Sequence, residues 1–88
     1  MERSNLIKMT RVLIDDMYMA MDYLERHLDT ISFSSMFEMI ETIDKTGYLL
    51  KEYVIEETKV SVTTVLVNWS QLKIKTQRAF MNSRVALF

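Results

Sequence analysis

The side chains best able to do chemistry are few and scattered along this chain. His27 is the single imidazole and there is no cysteine, which removes thiolate nucleophiles, disulfides and the common zinc sites together. Asp22, Glu25 and Asp29 share one flank of a helix at spacings of three and four and offer the oxygen donors that a hard cation takes. A carboxylate run of this kind is more simply a solvated face, and the Glu-x-x-His pair that di-metal bundles place on their helices is missing. Ser34-Ser35 has no base nearby and is accounted for by helix capping. His27, close to a helix end, reads as structural. These residues predict no catalytic centre, no metal and no cofactor, so the expected protein is not an enzyme.

A second polar set lies in the last third of the chain. Thr64, Asn68, Gln71, Lys75, Arg78 and Asn82 recur at spacings of three and four. Asn, Gln, Lys and Arg are the side chains that read base edges and phosphates, so Asn68, Gln71, Lys75, Arg78 and Asn82 form the candidate contact for nucleic acid or an acidic partner. All twelve acids precede residue 60, whereas Lys73, Lys75, Arg78 and Arg84 follow it. The net charge is only −1, which excludes the global basic field that drives nonspecific binding to phosphate backbones. Four cations are a thin footprint, and no short helix-turn-helix with a Gly-marked turn precedes them. The same cations would complement Asp15, Asp16, Asp22, Glu25 and Asp29 if the first and last helices are neighbours. A DNA-binding regulator is therefore the second reading.

The elements that carry these residues follow from what the chain lacks. It has 88 residues with one Gly, no Pro and eight Met. Sandwiches and barrels need frequent Gly- or Pro-marked turns, and βαβ nucleotide folds need glycines where backbone meets phosphate, so an all-α chain remains. The length suits one domain, residues 1–88. No cleavable leader and no uncharged apolar run of membrane-spanning length is visible, and the expected location is the cytoplasm, with no membrane partner.

Leu6, Met9, Leu13, Met17, Ala20, Leu24 and Leu28 follow a helical period, with Ile7, Ile14 and Met21 on the same side. This predicts a first helix over about 5–29, with Ser4 or Asn5 as N-cap. Ser35-Met36-Phe37-Glu38 fits a capping box and predicts a second helix over 36–58, with Met36, Met39, Ile40, Ile43, Gly47, Leu50 and Val54 facing the core. Gly47 falls on that apolar face. Unbroken periodicity therefore favours a close-approach point for a neighbouring helix over a chain break at Asp44-Lys45-Thr46-Gly47. Val62, Val65, Leu66, Trp69, Leu72, Thr76, Ala79 and Phe80 give a third helix over 62–86. The β-branched run Val60 to Val67 admits a strand instead, although no other strand exists to pair with it. Fusion of the second and third helices is a further alternative. Three helices of matched length suit an up-down-up bundle.

One apolar stripe per helix would suffice for such a core, yet two helices carry more. Met9, Val12, Met19 and Tyr23 lie on the far side of the first helix, and Val67, Ile74, Met81 and Phe88 recur every seven residues on the third. These eight are the candidate partner or dimer interface, because aligned spare stripes on two neighbouring helices favour a homodimer in which both contribute to a shared core. Unbranched Met side chains adapt to different partner shapes. The expected function is a small non-enzymatic interaction module (adaptor, inhibitor or chaperone-like regulator) that binds another protein through these apolar helix faces.

Overall fold

The computed structural model describes residues 2–86, with side-chain surroundings given through Asn82. Among these residues it is all-helical: α1 spans Arg3–Arg26, α2 Phe33–Glu52 and α3 Lys59–Ala86, with no strand. The region Val60 to Val67 is helical throughout. Thr64 shows how a β-branched residue settles there, its hydroxyl donating 2.8 Å to the carbonyl of Val60 one turn back.

The helix boundaries depart from those expected, each for a local reason. α1 starts at Arg3 after an extended Glu2, whose carbonyl accepts from the Leu6 N–H at 3.0 Å. Ser4 and Asn5 thus lie inside the first turn and do not cap it. α1 ends at Arg26, three residues short of Asp29, because the His27 carbonyl accepts from both the Thr30 and Ile31 N–H groups and turns the chain. α2 begins at Phe33, not Met36. Its N-cap is Ser32, whose Oγ accepts from the Ser35 N–H at 3.2 Å while its hydroxyl donates to Ser35 Oγ at 2.9 Å. Ser35 therefore supports a cap one turn earlier than the expected box with Glu38.

α2 also stops at Glu52 instead of residue 58. Ile55 is extended, its N–H donates to Thr58 Oγ1, and the Thr58 hydroxyl returns to the Ile55 carbonyl, both at 3.2 Å. This reciprocal clasp, with Thr58 buried, opens a 3₁₀ turn over Glu56–Thr58 that leads directly into α3. Glu56 and Glu57 occupy that first turn, where the partial positive charge of a helix start favours them. Val54, expected in the core, lies outside the helix and is exposed. Helices two and three are separate, and α3 starts three residues before Val62.

All three helices contribute to one apolar core. It contains Ile14, Met17, Met21 and Leu24 from α1, Met36, Ile40, Ile43 and Leu50 from α2, and Val62, Val65, Trp69 and Leu72 from α3. On α1 the deepest residues are Thr10, Met17 and Leu24, while Leu13 and Ala20, and Leu28 just past its end, members of the main periodic series, are only partly buried. Thr10 and Thr76 are the polar members of the two outer helices. Each donates 2.8 Å to the carbonyl four residues earlier, which removes the cost of burying a hydroxyl. Gly47 is buried within unbroken α2. A Cβ there would lie 3.2 Å from Leu66 Cδ2 and 3.8 Å from Met17 Cε, so this position is where both other helices close in.

Two contacts fix how α1 lies against α3. Asn68 Nδ2 donates 3.1 Å to the Tyr18 hydroxyl, and Lys75 Nζ lies 3.8 Å from Glu25. Both pairs are fifty residues apart. The molecule is elongated, 54 × 18 × 18 Å. Its surface of 6500 Å² exceeds the roughly 5400 Å² expected for a compact chain of this mass.

Candidate interaction surface

The spare apolar rows of α1 and α3 remain outside the core. Val12, Met19 and Tyr23 are exposed on α1, Met19 to 71%, while Met9 is partly buried. On α3, exposure in the seven-residue row runs from 50% at Val67 and Ile74 to 62% at Met81 and 78% at Val60. Val60 extends the expected row by one heptad. Phe88 lies outside the described residues. Each row sits on the helix side opposite its buried residues, so the core closes without either. No buried side-chain polar atom among the described residues lacks a partner, so nothing inside the fold calls for rearrangement to cover them.

The rows do not merge. A helix turns by about 100° per residue, which places Tyr18 and Glu25 on the α1 flank between its core and its outward row, and Asn68 and Lys75 on the matching flank of α3. The Tyr18–Asn68 and Glu25–Lys75 contacts thus form a polar seam, joined by Asp22, which pairs with Arg26 at 3.0 Å. The two apolar rows occupy separate corners on either side of this seam. A dimer that buried both at once would bury the seam as well.

The amide and basic set divides along the same seam. All five are exposed, but Asn68 and Lys75 reach across to Tyr18 and Glu25 of α1, whereas Arg78 makes no ion pair among the described residues. Lys73 does not join the acids of α1. Its Nζ donates 2.8 Å to Asp44 Oδ2 on α2, while the Trp69 indole N–H donates 2.8 Å to Asp44 Oδ1. One carboxylate therefore spans two successive turns of α3. Burial alone would raise the Asp44 carboxyl. The hydrogen bonds from Lys73 and Trp69, then the charges of Lys73 and Lys51, outweigh it and hold the group below its ordinary value. Asp44 had signalled only a possible chain break in the sequence.

An aromatic ledge at one end was also missed. Phe33 stacks on Phe80 of α3 with ring centroids 4.5 Å apart, and Phe37 lies 6.2 Å beyond. Phe33 and Phe37 are exposed. The signal was their spacing of four, which helix pairing makes significant only once the helix begins at Phe33. Beside this end, α1 and α2 enclose an open groove of about 510 Å³ lined by Tyr23, His27, Ser35, Met39 and Thr42, among others. His27 stacks on Tyr23 at 4.1 Å, and its Nδ1–H donates 2.8 Å to the Tyr23 carbonyl, so the ring is held by its own helix.

Among the described residues, no group of three His, Asp or Glu side chains converges as metal ligands would. Asp22 and Glu25 face basic partners instead. Among the described residues, no helix is long and apolar enough to cross a membrane. No protein-family model matches the chain, and comparison with curated proteins and with solved structures gives no match.

Proposed function

We propose that this chain is a non-enzymatic protein-interaction module, an up-down-up bundle whose outward apolar rows are covered by other protein surface, acting as an adaptor, inhibitor or chaperone-like regulator. The constant fifty-residue separation of the two α1–α3 contacts supports parallel outer helices and hence that topology. The observation that carries the functional reading is a core complete without the rows. Val12, Met19 and Tyr23, like Val60, Val67, Ile74 and Met81, stay exposed although every buried side-chain polar atom among the described residues is satisfied. Fully burying a Val, Ile or Met side chain contributes about 1.5–3 kcal/mol, so covering even the exposed half of each side chain yields a useful association energy.

Self-association is the simplest way to cover the α1 row, since an isologous contact needs no second gene product. Asp16 interrupts that row and Lys8, Asp22 and Arg26 flank it, so both signs of charge are present for self-complementary pairing. Sedimentation equilibrium from about 1 to 100 μM tests the reading. The expected result is a wild-type dimer and a monomeric Met19→Glu variant with an unchanged melting temperature. A wild-type monomer throughout, with Met19→Glu and Ile74→Glu equally soluble and equally stable, would sink the interaction reading.

The DNA-binding alternative draws on the exposed Gln71, Arg78 and Asn82 of an acid-free helix. It ranks second because Asn68 and Lys75, two of the five proposed contacts, are turned toward Tyr18 and Glu25. A duplex shift assay at two salt concentrations separates the two readings, since phosphate binding must weaken steeply with salt.

A further inference from the structure

The two outward rows differ in their electrostatic surroundings, and the difference specifies a partner for one of them. On α3 the row Val60, Val67, Ile74 and Met81 keeps a strict seven-residue period over three heptads, one apolar residue per heptad where a coiled-coil seam carries two, so a helix docked there would rest on the row and on the polar side chains beside it. The positions beside it are Thr64, Gln71, Lys75, Arg78 and Asn82. No acid occurs from Val60 onward, and Arg78 has no ion-pair partner among the described residues. Resting on the interaction-module reading above, we propose that the outward face of α3 docks an acidic amphipathic helix of another protein, with apolar residues at heptad spacing flanked by Asp or Glu.

A second copy of this chain fits that face poorly. Pairing α3 with α3 would bring two acid-free surfaces together, and like-charge juxtaposition opposes association. Docking α3 on the acidic outer side of α2, which carries Glu38, Glu41 and Glu52, would be a heterologous contact, which propagates into chains unless its rotation closes a ring. A single acidic helix satisfies both the apolar row and Arg78, the one cation of this face without an ion pair among the described residues, and it leaves the α1 row available.

The probe is a labelled synthetic helix of about three heptads, with Leu on the seam and Glu at the flanking positions, read by fluorescence anisotropy against the full chain. Its own charge keeps the peptide monomeric. The comparison peptide carries Lys in place of Glu, and a mixed-sequence DNA duplex is the third ligand. We expect the Glu peptide to bind at least about tenfold more tightly than the Lys peptide, and its affinity to fall as salt rises. Ile74→Asp should weaken binding at least about tenfold without changing the melting temperature, since Ile74 is half exposed. Arg78→Glu combined with Gln71→Glu, both at exposed positions, should reverse the preference between the two peptides.

Equal binding of the Glu and Lys peptides would overturn the proposal by showing apolar adhesion alone, and so would no binding of either. Tighter, salt-sensitive binding of the duplex that is lost in Arg78→Glu would overturn it in favour of nucleic acid. The broader reading fails separately. If the peptide does not bind but Met19→Glu still abolishes self-association, this inference falls while the interaction module stands.

Discussion

Replacing Asp44 with Ala removes the acceptor that joins α2 to two turns of α3. Trp69 is 4% exposed, so its indole N–H loses a charged acceptor, and water reaching the partly exposed place left by Asp44 replaces it only in part. A hydrogen bond to a charged group contributes about 1.5–3 kcal/mol. The Lys73 ion pair, with both side chains about one-third exposed, adds at most about 1 kcal/mol. Ala recovers roughly 0.5 kcal/mol of helix propensity over Asp, leaving a net loss of about 2 kcal/mol, or a melting temperature lower by roughly 8–16 °C in a domain of this size. Asp44→Asn keeps a neutral acceptor for Trp69 and should lose about 1 kcal/mol. Trp69 is the only tryptophan, so its fluorescence during urea unfolding reports on the site itself. The folded carboxyl is held below its ordinary value. Its contribution is therefore complete above the unfolded aspartate value and disappears as pH falls through the lower folded value. The stability gap between wild type and Asp44→Asn should narrow in acid in the same window. An Asp44→Ala protein within about 0.5 kcal/mol of wild type, or a gap to Asp44→Asn that widens in acid, would refute this account.

Ser32→Ala should cost about 1 kcal/mol, as loss of an N-cap does, while Ser35→Ala should cost under about 0.5 kcal/mol; thermal melts distinguish this from the reverse order expected if Ser35 were the cap. Gly47→Ala should stabilise by a few tenths of a kcal/mol, since helix propensity gains about 0.5–1 kcal/mol against a 3.2 Å approach to the partly buried, movable tip of Leu66. Gly47→Leu should lose about 2 kcal/mol or more by overpacking between Leu66 and Met17. A double-mutant cycle on Glu25 and Lys75, which lie 3.8 Å apart with both side chains more than half exposed, should return a coupling under about 0.5 kcal/mol.

Core membership was legible in the sequence wherever it depended on period alone. Ile14, Met17, Ile43, Leu50, Val65 and Trp69 recur at helical spacing, and Gly47 was placed on a buried face because the pattern on either side of it never changed phase. Boundaries were less legible because capping signals compete. Ser32 and Ser35 both precede plausible first turns, and the choice of Ser32 brings Phe33 onto Phe80, a contact 47 positions away that no local pattern contains. The end of α2 depended on Thr58 clasping Ile55. A threonine beside two glutamates and a lysine gives no sign that its hydroxyl will be buried. The run Val60 to Val67 was ambiguous for a related reason, because strand propensity is expressed only when another strand is present to pair with it.

The outward rows show where reading by period stops. It identifies Val12, Met19 and Tyr23, and likewise Val67, Ile74 and Met81, as lying off the core stripe of their own helices. How those helices rotate about one another is set by partners far apart in sequence, here Tyr18 with Asn68 and Asp44 with Trp69 and Lys73. That rotation puts a polar seam between two rows that had looked like halves of one interface. Two corners flanked by different charges behave as two surfaces. Met19→Glu and Ile74→Asp share no contact partner given by the structure, and distant substitutions add when they share none. Met19→Glu should then abolish self-association without weakening the acidic peptide, and Ile74→Asp should do the reverse. The double variant should show both losses undiminished. If either single substitution removed both activities, the rows would function as one surface after all, and the polar seam would have to be buried within it.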